Sequence, residues 1–234
     1  MTTFSHLTGT LDTASCADRL VRADDLATEP LTLEDVAIVH ATFELRMAET
    51  LQCLPPAVHP SIPGHLSVLV VRSSAGPLGP FSLAQVRVGC RAGVKRRAFC
   101  LAAVADSPLA ARTLAARYGF PCRLGGVAVQ TRHHRTGVAV DLGGRPVLEF
   151  AVTRTRELQG AAVSYPAALN FASAPDGPRL FQVDSDVDIG RVERGVPHVA
   201  HLDLAPWGHR LHPQQPVAAT VATGTMVLQP VRPA

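Results

Sequence analysis

Nineteen prolines and eighteen glycines punctuate the chain, and the segments between them are rich in valine. Proline removes a backbone donor and is tolerated in a helix only within the first turn. This punctuation therefore argues against a helix bundle and for strands joined by turns. A length of 234 residues leaves room for one large domain or at most two small ones. Apolar residues make up 47% of the chain and charged residues 18%, enough for a substantial core and too apolar for wholesale disorder. No stretch approaches the roughly 20 apolar residues of a membrane span, and no basic segment precedes an apolar one as in a signal peptide. The expectation is a soluble, cytoplasmic protein with no membrane partner.

Residues 1–30 are small and polar and read as an N-terminal arm; residues 31–234 read as one domain. A strand is expected at Val36–Phe43, then a helix over Glu44–Cys53 that stops at Pro55-Pro56. Strands follow at His65–Arg72, Phe81–Arg91 and Arg96–Val104. Ser107 caps a helix with Pro108 in its first position, and Gly119 closes it after Tyr118. Further strands are expected at Gly126–Arg132, Gly137–Leu142 and Pro146–Arg154, the last two joined as a hairpin across Gly143-Gly144. A strand around Asn170–Ala174, a turn at Gly177-Pro178, a long strand region Arg179–Glu193 and a last strand Val217–Gln229 complete the chain. The pattern fits an α+β fold: one large, curled, sequential antiparallel sheet with a few short helices.

A net charge of +3, with two tyrosines and one tryptophan, offers neither a basic footprint nor stacking platforms, so no nucleic-acid partner is expected. All the basic residues but one are arginine; the single lysine is Lys95. The five cysteines form no CxxC pair, and adjacent His133 and His134 would point to opposite faces of a strand. No metal and no cofactor are expected.

Two segments carry possible chemistry. In strand 83–91, Leu83, Gln85, Arg87, Gly89 and Arg91 share one face, and Ala84, Val86, Val88 and Cys90 the other. The apolar set belongs in a core. The polar set either faces water, the ordinary case for an antiparallel sheet, or lines a cavity where guanidinium groups hold a carboxylate or enolate. The second segment, Arg117–Gly126, leaves a helix, turns at glycine and enters a strand; in it Cys122 stands beside Arg123, which would favour a thiolate. The plainer reading of Cys122 is a buried, inert thiol.

The order of Leu54-Pro55-Pro56, Gly76-Pro77-Leu78-Gly79-Pro80-Phe81, Ala102–Leu114, Tyr118–Gly125, Pro175–Arg179 and Trp207-Gly208 resembles the acetoacetate decarboxylase-like superfamily. The resemblance runs from around Val36 to the C-terminus. It implies a cone-like sheet around an internal cavity, assembly into a homo-oligomer, and Leu83, Gln85 and Arg87 on the cavity side. In that family a Pro-Lys-Lys-Leu-Gly segment carries the lysine that forms a Schiff base. Here the matching residues are Pro121-Cys122-Arg123-Leu124-Gly125, so Cys122 and Arg123 stand at the two lysine positions. Leu83 stands at the position of one cavity glutamate; the other glutamate falls near Val68 and the family's N-terminal arginine near Val36.

A thiol cannot form the protonated imine that decarboxylation needs, and arginine is not a practical nucleophile. The reading that follows is a small-molecule tailoring enzyme of specialised metabolism acting on a β-keto, enol or carboxylate-bearing substrate. It would promote elimination, hydration or cyclisation without a Schiff base, with Arg87, Gln85, Cys122 and Arg123 as catalytic candidates. Leu83, Arg91, His65 and Glu149 are the substrate-binding candidates, the last two also as acid/base groups. A non-catalytic binding or accessory protein is the alternative. The third reading is a decarboxylase-type lyase using Lys95, which follows a turn expected at Ala92-Gly93 and reads more simply as a surface residue.

Overall fold

Each valine-rich segment becomes a strand, and most extend beyond the alternating pattern that marks them. A computed structural model of the chain describes residues 7–160 and 163–234. The order is β1 (Leu31–Glu44), α1 (Met47–Cys53), β2 (His59–Pro60), β3 (His65–Ala75), β4 (Phe81–Ala92), β5 (Lys95–Ala105), α2 (Pro108–Tyr118), β6 (Cys122–Leu124) and β7 (Gly126–Arg132). It continues with β8 (Arg135–Leu142), β9 (Arg145–Leu158), β10 (Ala167–Ala174), β11 (Gly177–Val183), β12 (Ser185–Leu202), β13 (Pro216–Leu228) and β14 (Arg232–Pro233).

Fourteen strands among the described residues form one mostly antiparallel sheet. Its hydrogen-bonded path runs β14-β11-β10-β5-β4-β3-β1-β13-β12-β9-β8-β7, with β2 added beside β4 and β6 beside β5. Two departures from a sequential meander matter. β6 and β10 pair with β5 in parallel; for β6 this is because α2 carries the chain back along the sheet before it begins. β13 lies between β1 and β12, so strands far apart in the sequence become neighbours.

The path is open, yet the sheet is folded over on itself. Val68, Val70, Ala84, Val86 and Val104 of β3–β5 share one buried cluster with Val138, Val140, Leu148 and Phe150 of β8 and β9. A second cluster covers the opposite face of β3–β5, where Leu69, Val71, Leu83 and Ala103 meet Leu114 and Tyr118 of α2 and Met226 of β13. The central strands are thus enclosed on both sides.

Local differences from the sequence reading have physical causes. β1 runs straight through Glu44, shortening α1 at its start, because Glu44 pairs with His65 and exchanges backbone hydrogen bonds with Gln214 and Gln215. The turn expected at Gly177-Pro178 comes earlier, at Pro175-Asp176. The long region Arg179–Glu193 is two strands broken at Asp184, whose carboxylate accepts from Gln182 and pairs with Arg232. Of the proposed arm, residues 1–6 lie outside the described residues. The remainder is tied down: Asp25 and Ala27 donate to the carbonyls of Ala116 and Arg117, and Val231 donates to Ala27.

The ends of α2 are as expected. The Ser107 side chain accepts from the Ala110 amide, and Gly119 adopts φ +66° as its cap. A Cβ at residue 119 would approach Ala172 Cβ to 3.1 Å and Phe181 to 3.3 Å, in a backbone conformation costly for any L side chain. Gly119→Ala is expected to lower unfolding free energy by about 1–2 kcal/mol, and Ser107→Ala by about 1 kcal/mol, in urea titrations.

Candidate functional site

Strand β4 is buried from Phe81 to Cys90 without interruption. The alternation is preserved inside this burial: Ala84, Val86, Val88 and Cys90 enter the cluster shared with β8 and β9, and Leu83 enters the cluster under α2. Gln85 and Arg87 therefore do not face water. They are 1% and 6% exposed. Beside them a bulge between Val86 and Arg87 brings Cys100, rather than Leu101, opposite Arg87. Such a bulge re-aims one side chain by adding one residue to one strand. Here it turns the Cys100 thiol to the Arg87 side.

The register assembles the rest of the site. Across the sheet, Leu69 pairs with Gln85 on one side and with His40 on the other, and His40 pairs in turn with Thr220 of β13. Ser67, also buried, pairs with Arg87. From just before β10, Tyr165 sets its ring edge-on to His40, with centroids 5.6 Å apart. Arg87 Nη1 donates to the Pro166 carbonyl at 3.5 Å, and Nη2 donates to Gln85 Oε1. Arg87 Nε and Gln85 Nε2 are buried without a hydrogen-bond partner among the described residues, and the buried Tyr165 and Thr220 hydroxyls lie against each other.

None of the ion pairs among the described residues involves Arg87. A buried guanidinium without a carboxylate is costly, since desolvation is not offset by a partner. Burial accordingly draws the Arg87 pKa below its ordinary value. Burial first, then Arg87 and His65, lower His40 to about 4, so its imidazole is neutral near pH 7. Burial also pushes the thiols of Cys100 and Cys122 up to about 12, the first opposed by Arg87 and the second reinforced by Cys100. Neither is a thiolate at neutral pH. The site is a buried cation and amide with a neutral imidazole and two hydroxyls from half-buried residues beside them. By their chemistry these groups suit an anion or a developing oxyanion rather than a metal ion or covalent catalysis.

The other candidates lie as follows. The His65 ring covers Gly89, the next residue on the Arg87 face. Leu83 is buried beneath α2 and is wholly apolar. Arg91 is exposed at the end of β4. Cys122 packs on the Arg87 side, whereas Arg123 turns to the opposite side, where its guanidinium stacks 5.2 Å from the Trp207 ring centroid. Glu149 lines a separate surface groove with Arg135 and His198, of about 310 Å³. Lys95 is exposed at the start of β5. His40, Tyr165 and Thr220 were not singled out in the sequence. The available signal was weak: within the apolar run Val36–Phe43, His40 and Thr42 are the two polar residues, and they share one parity.

No family model and no curated protein sequence matches the chain. Solved structures do. The enduracididine biosynthesis enzyme MppR, complexed with pyruvate, superposes with a TM-score of 0.72 at 18% identity, covering 88% of this chain and 91% of that one. Acetoacetate decarboxylase from Legionella pneumophila gives 0.76 at 13% identity, over 88% and 87%. An acetoacetate decarboxylase-like enzyme from Sphingomonas wittichii RW1 gives 0.69 at 14% identity, over 89% and 94%. The chain has the acetoacetate decarboxylase-like fold.

The neutral His40 predicts a pH dependence of stability. Between pH 6.5 and about 4 the unfolded state binds a proton at this residue that the folded state does not. Stability must fall as pH drops through that window, by up to about 3 kcal/mol for one such group. His209, lowered to about 4 chiefly by burial, adds to the slope. Urea midpoints measured from pH 7.5 to 4.5 should fall with acidification, and His40→Gln should flatten the curve in part.

Proposed function

We propose that the chain is a small-molecule enzyme that holds a carboxylate- or enolate-bearing keto compound against Arg87 inside a curled sheet. The observation that carries this reading is the buried guanidinium with no carboxylate partner. An anionic substrate would supply the missing charge. Gln85 Nε2, which lacks a partner, is free to donate to its oxygens, and the Tyr165 hydroxyl, beside Thr220, can turn to them. MppR, which shares the fold, was crystallised with pyruvate, and this supports a small keto acid as the substrate class.

The chemistry that suits these groups is proton transfer beside a stabilised oxyanion. A neutral His40 can accept a proton from the carbon next to a carbonyl, while Arg87 and Gln85 hold the enolate oxygen. Elimination, hydration or ring closure can proceed from that enolate. An imine is not available to it: Lys95 is exposed and its strand begins after a turn. Cys122, with its thiol pushed up to about 12, acts as packing rather than as a nucleophile.

Arg87→Met should bind pyruvate at least tenfold more weakly, from the roughly 1.5–3 kcal/mol of a charged hydrogen bond. The same variant should be no less stable than the parent, because it removes an uncompensated buried charge. Unchanged pyruvate affinity would overturn the assignment. An enzyme should also exchange the methyl protons of pyruvate with deuterium oxide, whereas a non-catalytic binding protein would bind without exchange.

The absence of imine chemistry is checked separately. Borohydride added with acetoacetate should leave intact protein unmodified at Lys95 by mass spectrometry. An adduct there would restore the Schiff-base mechanism and overturn the non-covalent reading.

A further inference from the structure

On the far side of β5 and β6 from Arg87, the N-terminal arm closes over a pocket of about 90 Å³. Arg19 of the arm and Arg123 of β6 both line it, with Phe99, Phe171, Trp207 and His209. No carboxylate lines the pocket, and neither arginine forms an ion pair among the described residues. Burial and then the nearby Arg19 lower His209 to about 4, so it brings no third charge at neutral pH. Trp207 is held from behind, its Nε1 donating to the Pro121 carbonyl at 3.1 Å, and it offers its ring to the Arg123 guanidinium. Arg19 lies against Gly208, in the space that a side chain there would fill.

We propose that this pocket is a second binding site, for a compact carboxylate of about the size of butyrate. Two guanidinium groups from different parts of the chain converge on one small concavity with no anion supplied by the protein. The planar guanidinium matches a carboxylate through paired hydrogen bonds, and stacking on Trp207 fixes the plane of Arg123. Phe99 and Phe171 give the alkyl part an apolar wall. The site does not depend on the reading of Arg87: Arg87, Gln85 and His40 are not in its lining, and of the groups beside Arg87 only Cys100 reaches it. An occupant would bridge the arm, through Arg19, to the sheet, through Arg123.

Trp207 is the only tryptophan, so its indole N–H gives a single resonance, from a residue in the wall of this pocket. The full chain is titrated with sodium butyrate, with inorganic phosphate in parallel, at constant ionic strength. The expected result is a saturable shift of the indole resonance with a Kd of about 1 mM, as suits so small a ligand. Arg19→Ala, at an exposed arm position that leaves the Trp207 stack in place, should weaken it at least fivefold, and Arg123→Ala more. Arg87→Met should leave it unchanged. No saturable shift, or an unaltered Kd in Arg19→Ala, would overturn the site. An equal or stronger response to phosphate would overturn the carboxylate assignment.

Discussion

Enclosing β4 on both faces is the constraint from which the rest follows. A strand with one wet face could carry Gln85 and Arg87 at no cost. Once Val86 and Val88 pack against β8 and β9, and Leu83 packs under α2, the intervening polar residues are inside the protein whether or not they have partners. Hydrophobic burial on this scale outweighs the desolvation of one guanidinium, because it is summed over many side chains. The charge is retained, and burial tunes the groups around it: an imidazole kept neutral, with Arg87 adding to the effect, and a thiol kept protonated despite the cation.

The two arginines show how little sequence proximity says about shared chemistry. Arg87 and Cys122 come from different strands yet pack on one side of the sheet; Cys122 and Arg123 are adjacent yet face apart. Side-chain alternation along a strand is the reason. A motif carried over by resemblance as a pair is therefore divided by the pleat into one residue for each side.

Much of this fold was legible beforehand, because its signals are local. The period-two pattern of residues 83–91 named the correct partition of side chains, and Ser107 with Gly119 marked both ends of α2. What was illegible depends on register. His40, Thr220 and Gln85 meet only because β13 inserts beside β1 and β3 pairs with both β1 and β4, and no spacing in the sequence encodes that. The bulge beside Arg87 is likewise invisible from composition, since it shows only as Leu101 and Ala102 packing on the same side. Burial of the Gln-Arg row could not be decided from one strand, because it depends on what another limb of the sheet covers.

The position of β13 has a consequence for how the molecule assembles. Along the strand pairing of the sheet, the path from the limb that contains β3–β5 to the limb that contains β7–β9 and β12 passes through Pro216–Leu228. This strand lies near the end of the chain order, so both limbs must form, or wait, as separate sheets with an unpaired edge each. Pairing across such long separations is slow, and open edges invite pairing with other chains. β13 acts as the keystone: until it is seated, each half exposes the edge that β13 will cover.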